Sequence, residues 1–156
     1  MQTSLSLDSF GSCLYIFKIH NLRAQGHFSP LAIPGGAMIQ ESGEMYLETI
    51  LLLSRKKPDL HAIDISDEMN FSKPSISRAL GRLKSEGCIT INEENHISLT
   101  EKGKKIAENI YEKHEVLSKL LMSLGVDEET ATADACKIEH VISDKTFAAI
   151  KAKCKV

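Results

Sequence analysis

The stretch "DACKIEHVIS", residues 134–143, carries a thiol, a carboxylate and an imidazole at Cys136, Glu139 and His140. On a helix, positions three and four apart are neighbours, so these side chains would converge on one point. Each is a donor to transition metals. Burying Glu139 beside Cys136 without a cation would cost on the order of several kcal/mol, and a divalent ion removes that cost. The competing reading of the cluster is a surface pair between Glu139 and His140. Candidate donors also occur elsewhere: Met45 and Glu48 in one segment, His114 in another. Taken singly, Met45 fits an apolar core, Glu48 a solvated face, His114 a hydrogen-bonded core histidine and Cys136 a small buried hydrophobe.

The elements that must hold these residues are legible from Glu44 onward. "EMYLETILLLSRKK" reads as a helix that Pro58 stops. "AIDISDEMN" reads as a short helix. In "FSKPSISRALGRLKSEG", Ser72 is placed to cap, Pro74 sits in the first turn and Gly87 ends the helix. The alternating pairs Ile89/Ile91 and Ile97/Leu99 flank a polar turn, which predicts a hairpin. Thr100 then caps a long helix to about Leu124, with Ile106, Ile110, His114, Leu117, Leu121 and Leu124 as its stripe. Gly125 breaks it. A helix over roughly 128–142 carries Cys136, Glu139 and His140, and Ser143 caps a last short helix with Phe147 and Ile150.

Helix, helix, turn, helix, hairpin is the order of a winged helix-turn-helix, whose second paired helix enters the major groove with its N-terminal residues forward. Residues 72–84 hold Lys73, Arg78, Arg82 and Lys84 and no acid. Ser72, Ser75 and Ser77 add hydroxyls near the helix start, suited to phosphates and base edges. Arg78, one turn beyond Pro74, can pair bidentately with guanine. Ile76, Leu80 and Leu83 fall on the opposite face. The "NEEN" hairpin tip is acidic and ill-suited to phosphate.

The totals agree with a small packed regulator. Hydrophobic residues make up 42% of the 156, and the net charge of -2 excludes a chain that coats nucleic acid along its length. The four cysteines, Cys13, Cys88, Cys136 and Cys154, form no CxxC pair, which fits reduced cytosolic thiols and a cytoplasmic protein. No run of about 18 apolar residues appears, so no membrane span is expected. Residues 1–37 end in the breaker "LAIPGGA" and show no packable period. They read either as a disordered or partner-docking extension or as upstream sequence translated ahead of a natural start at Met38. No HExxH motif and no glycine-rich phosphate loop appear, so no enzyme is expected. The domain plan is 38–100 for a winged helix-turn-helix and 101–156 for a helical metal-binding and dimerisation domain.

From about Gly43 to Phe147 the sequence resembles the diphtheria toxin repressor family of iron- and manganese-dependent regulators. The likeness rests on "EMYLETIL", "PSISRALGRLKSEGCI", "LTEKGKKIA", "KHEVLSKLL", the "GVDEE" turn and "ACKIEHVIS". It implies a mostly helical homodimer of winged-helix units in which metal links the first helix to the dimerisation helices. By motif, Met45, Cys136, Glu139 and His140 fall on primary ligand positions of iron-type members. His114 falls on the histidine of the long helix, and Glu48 on a glutamate of manganese-type members. Pro74 and Arg78 fall on positions that approach bases. Ser118 and Thr132 replace ancillary iron-type ligands, and the SH3-like C-terminal domain of longer members is absent.

The function these readings imply is a metal-activated repressor of iron or manganese homeostasis that binds a palindromic double-stranded operator. Soft Met45 and Cys136 rank Fe(II) first, and the oxygens of Glu48 and Glu139 keep Mn(II) second. The alternative is a winged-helix regulator that answers an organic ligand or thiol oxidation, with Cys136 as the sensor.

Overall fold

A computed structural model describes residues 37–154, with side chains from residue 43 onward. The readings offered for residues 1–36 lie outside the described residues. The elements are α1 (Ala37–Lys56), α2 (Ala62–Met69), α3 (Lys73–Ser85), β1 (Ile89–Ile91), β2 (Ile97–Leu99), α4 (Glu101–Ser123), α5 (Glu128–Ile138) and α6 (Asp144–Lys153).

Helix α1 begins at Ala37 rather than Glu44. The preceding residues, Ala, Met, Gln and Glu among them, propagate a helix well, and Gly43 does not interrupt it. Residues 46–53 are all buried, Glu48 and Thr49 included. A helix covered on every side is a central one. One face of α1 supplies Leu47, Ile50 and Leu51 to the winged-helix core, and the helix also packs on α4.

That core is completed by Leu60, Ile65 and Met69, by Ile76, Leu80 and Leu83 of α3, and by Cys88, Ile89, Ile97 and Ala107. Full burial of such a side chain stabilises by about 1.5–3 kcal/mol. Helix α3 ends at a left-handed Gly87, φ 71°, where Cys88 N–H donates to Leu83 O at 2.9 Å and Gly87 N–H to Lys84 O at 3.0 Å. This bond pair satisfies the last carbonyls, and glycine takes the positive φ without a Cβ clash. The hairpin forms in the expected register, Ile89 opposite Leu99 and Ile91 opposite Ile97. Ile97 N–H also donates to Leu60 O at 2.8 Å, tying the wing to the segment before α2.

Helix α4 spans both halves of the molecule. Thr100 caps it, its hydroxyl oxygen accepting from Gly103 N–H at 3.1 Å. Its stripe is buried at Ile110, His114 and Leu117, but Leu124 is 71% exposed. Leu124 is the residue after the helix, where the chain turns, so the stripe ends before it. Helix α5 packs along α4 through Ala131 and Ala135 and stops at Ile138, short of the expected 142. Turn bonds carry the chain on, with Val141 N–H and Ile142 N–H both donating to Ile138 O. Ser143 then caps α6, accepting from Thr146 N–H at 3.2 Å.

Candidate metal centre and nucleic-acid interface

The end of α5 faces the middle of α4 and the start of the buried stretch of α1. Glu139 is fully buried and His140 nearly so at its side chain. Their position at the close of α5 differs from the sequence reading, which put them on the helix proper. Glu139 keeps right-handed helical angles, φ −56° and ψ −32°, so its side chain still follows the helical path.

His114 on α4 lies with its Nδ1 2.7 Å from Glu139 Oε2, and Ser118 Oγ lies 3.4 Å from its Nε2. The Cys136 thiol, 3% exposed, hydrogen-bonds the Glu139 carboxylate. From α1, Glu48 is 2% exposed, and its charge couples to Glu139, His114 and His140. The solvated face expected for Glu48 is therefore not what the fold gives it. The structure brings together Glu48, His114, Cys136, Glu139 and His140 from three separate segments.

Two positions change the picture. Met45 is half-buried and packs against the winged-helix core. Glu44, which the sequence reading passed over, places its Oε2 3.1 Å from His140 Nδ1. Glu44 lies one helical turn before Glu48, so the spacing alone put both on one face. Met45, three residues before Glu48, satisfied the same rule. Lys113 is the other residue missed: a lysine 6% exposed, its Nζ 2.9 Å from Asp144 Oδ1.

Burial dominates the electrostatics. It pushes Glu139 up to about 8 and is reinforced by Glu44, against the opposing effects of His140, the Cys136 hydrogen bond and Lys113. Burial, then the neighbouring Glu139, pushes Glu48 up to about 8 against His114 and His140. Burial holds His114 below the ordinary imidazole value despite Glu48 and Glu115. Burial also opposes charging of His140, but the Glu44 hydrogen bond and the charges of Glu139, Glu44 and Glu48 outweigh it and raise its pKa.

Among the described residues, three buried side-chain atoms have no hydrogen-bond partner: Glu48 Oε1, Glu139 Oε1 and His140 Nε2. All three belong to this cluster. Each such atom costs about 1–3 kcal/mol and calls for an explanation. His140 Nε2 and Glu139 Oε1 stand 3.4 Å apart. Two donors each about 2.1 Å from one ion are separated by roughly 3.0–3.4 Å at right or tetrahedral angles. As the side chains stand, no three His, Cys, Asp or Glu among the described residues are already set to hold an ion. They pair with one another instead, leaving the acceptor lone pairs unmet. The orphaned atoms nevertheless lie in one cluster, and the histidines beside Glu48 do not offset the cost of its burial. The donor types fit a divalent transition metal.

At the other end of the molecule, Ser72, Lys73, Pro74, Ser77, Arg78 and Arg82 are exposed along one side of α3, and Ser75 is half-buried. Ile76, Leu80 and Leu83 face the core. Ser72 holds the N-cap position, but its hydroxyl meets Ser75 Oγ at 3.0 Å instead of capping a backbone N–H. Glu93 and Glu94 are exposed at the hairpin tip.

Two family models match in sequence order. The N-terminal DNA-binding domain of the iron-dependent repressors matches residues 38–97, and their metal-binding and dimerisation domain matches residues 100–155. The chain belongs to the iron-dependent repressor family. The transcriptional regulator MntR of Escherichia coli O157:H7 is 31% identical over 106 residues, 68% of this chain and 68% of MntR. The iron-dependent repressor IdeR of Mycobacterium tuberculosis H37Rv is 31% identical over 105 residues, 67% of this chain but 46% of IdeR. The chain thus spans about half the length of the IdeR relatives it matches. Among solved structures, the manganese regulator SloR superposes with a TM-score of 0.64 at 26% identity, covering 71% of this chain and 52% of SloR. The T. acidophilum IdeR structure gives a TM-score of 0.64 at 25% identity, over 72% of this chain and 54% of that one. Among its described residues the chain is mostly helical, and no helix is long and apolar enough to cross a membrane.

Proposed function

We propose that the chain is a metal-dependent transcriptional repressor whose reading head is locked by a divalent ion held among Glu48, His114, Cys136, Glu139 and His140. The observation that carries this is the trio of partnerless buried atoms, one of them on α1 and two at the end of α5. Helix α1 belongs to the winged-helix core and also packs on α4, which with α5 forms the scaffold. A bound ion supplies the positive charge that these donors lack and so favours one placement of α1 against α4 and α5.

The chain's residues do the rest. Glu48 and Glu139 give up protons they otherwise hold, Cys136 supplies a thiolate, and α1 transmits its placement to α3 through Ile50, Ile76 and Leu80. In a homodimer that placement sets the spacing of two α3 helices, which must reach successive major grooves roughly 34 Å apart on a palindromic operator. A bias of about 1–3 kcal/mol toward the competent spacing changes DNA affinity 5- to 150-fold. Lys73 and Arg82 serve phosphates, and Pro74, Ser77 and Arg78 face base edges, with Ser72 and Ser75 at the helix start.

Fe(II) ranks ahead of Mn(II) because of the Cys136 thiol. The margin narrows because Met45 lies against the apolar core and the nearby oxygens of Glu44, Glu48 and Glu139 are hard donors. Burial of Cys136 gives no support to thiol sensing, since redox-sensor cysteines are accessible.

The test uses DNA selected from a random pool in the presence of Mn(II), followed by gel shifts with and without chelator. Loss of the shift on chelation, and its absence in the Cys136→Ala, His140→Ala double variant, supports the proposal. A shift insensitive to chelator, or a metal-dependent shift that survives in the double variant, overturns it.

A further inference from the structure

The hydrogen bond between Glu44 and His140 joins residues on opposite sides of the boundary between head and scaffold. Glu44 Oε2 lies 3.1 Å from His140 Nδ1, and the two side chains are 18% and 4% exposed. The other ring nitrogen, Nε2, lies 3.4 Å from Glu139 Oε1, and both of those atoms lack a hydrogen-bond partner. A neutral imidazole carries a single N–H, and two carboxylates flank this ring. If Glu139 took that proton, Nε2 would be a donor and useless to an ion. Glu44 is the nearer carboxylate, and its position on the far side of the ring draws the proton to Nδ1.

We propose that Glu44 is a positioning residue. By accepting the Nδ1–H of His140, it fixes the tautomer that turns the Nε2 lone pair toward Glu139. Its purpose rests on the metal-centre reading above, but its action on the ring does not. A carboxylate on the distal nitrogen of a metal-binding histidine orients the ring and raises its basicity, and its loss lowers metal affinity about 10–100-fold. The placement of Glu44 adds a consequence. It rides on α1 together with Glu48, so a head displaced from the scaffold removes a ligand and the group that prepares His140 in one motion. Metal affinity and head position are thereby coupled through one helix.

Glu44→Ala and Glu44→Gln test this. Long-range proton–nitrogen spectra of the metal-free chain at alkaline pH, where imidazoles are neutral, report which nitrogen of His140 carries the proton. Signals of His61 and His96 in the winged-helix half serve as controls for folding. Zn(II) affinity is measured by competition with a chromophoric chelator. The wild-type ring is expected as Nδ1–H. Glu44→Ala is expected to shift it toward Nε2–H and to weaken Zn(II) binding about 10–100-fold. Glu44→Gln, whose amide oxygen still accepts from Nδ1–H, is expected to restore the tautomer and most of the affinity. An unchanged Nδ1–H in Glu44→Ala overturns the proposal. So does a Glu44→Gln variant as weak as Glu44→Ala with the tautomer intact, which would make Glu44 itself a ligand. If the wild-type chain binds no Zn(II), the metal-centre reading fails, and the tautomer comparison still decides the role of Glu44.

Discussion

Replacing Glu139 with glutamine should make the metal-free protein more stable while destroying its metal response. Glu139 is fully buried and keeps its proton up to about pH 8, whereas the unfolded carboxyl loses it near 4.5. Folding at pH 7 therefore takes up a proton well above the ordinary carboxyl range, at a cost on the order of 3 kcal/mol. Glutamine takes up none. Its amide oxygen can still accept from His114 Nδ1, and its amide nitrogen can donate to the orphaned Nε2 of His140, 3.4 Å from the present Oε1. Coupling to Glu48 shares the same cost between two groups, so a gain of about 1–3 kcal/mol is expected, on the order of 5 °C in Tm. The pH dependence follows. Between about 4.5 and about 8 the folded chain holds protons at Glu139 and Glu48 that the unfolded chain has lost. Metal-free stability must then fall as pH rises through that window, by up to about 1.4 kcal/mol per unit per group. The raised His140 adds to this slope, and the lowered His114 opposes it near its own titration. Urea denaturation in chelator at several pH values reads both effects. A Glu139→Gln protein less stable than wild type at pH 7, or one with the same pH slope, would refute the reasoning.

Three further outcomes can be checked. Mn(II) or Zn(II) affinity should rise as pH increases toward about 8, because binding displaces the protons of Glu48 and Glu139; calorimetry in two buffers should detect proton release, and a flat profile contradicts it. Arg78→Ala should weaken binding to selected DNA by about 1–3 kcal/mol and leave Zn(II) affinity unchanged; equal loss of both would place Arg78 in the fold and not at the interface. Gly103→Ala should destabilise by at least about 2 kcal/mol, since a Cβ there would stand 1.9 Å from the Cys88 carbonyl oxygen; a urea midpoint within error of wild type would mean that α4 and the hairpin do not approach as described.

Punctuation and periodicity in the sequence were enough to place most elements. Pro58, Pro74, Gly87, Thr100, Gly125 and Ser143 each mark a boundary that the structure reproduces, and the hairpin register follows its alternating isoleucines. The start of α1 was missed because residues 37–43 carry no apolar period to read, although nothing there stops a helix. The cluster was legible where it was local. Cys136, Glu139 and His140 declared themselves by spacing, whereas His114 on its apolar stripe read as a core histidine and joined them only through the family resemblance. Which residues of α1 join them is a question of helix rotation about its own axis. Glu44 and Met45 differ by one position, about 100° of turn, and only packing against α5 and the winged-helix core separates them. The burial of Glu48 was hidden for the same reason: a helix covered on both sides has no solvated face to offer it.

The most direct test of a metal-locked reading head is a crystal structure of the chain grown with Mn(II), with anomalous scattering collected at the manganese edge. One strong anomalous peak is expected in contact with Glu48, Glu139 and His140, with His140 Nε2 as the ligand atom. A metal-saturated crystal with no peak there, or with its peaks only on the protein surface while those three atoms stay partnerless, would contradict it.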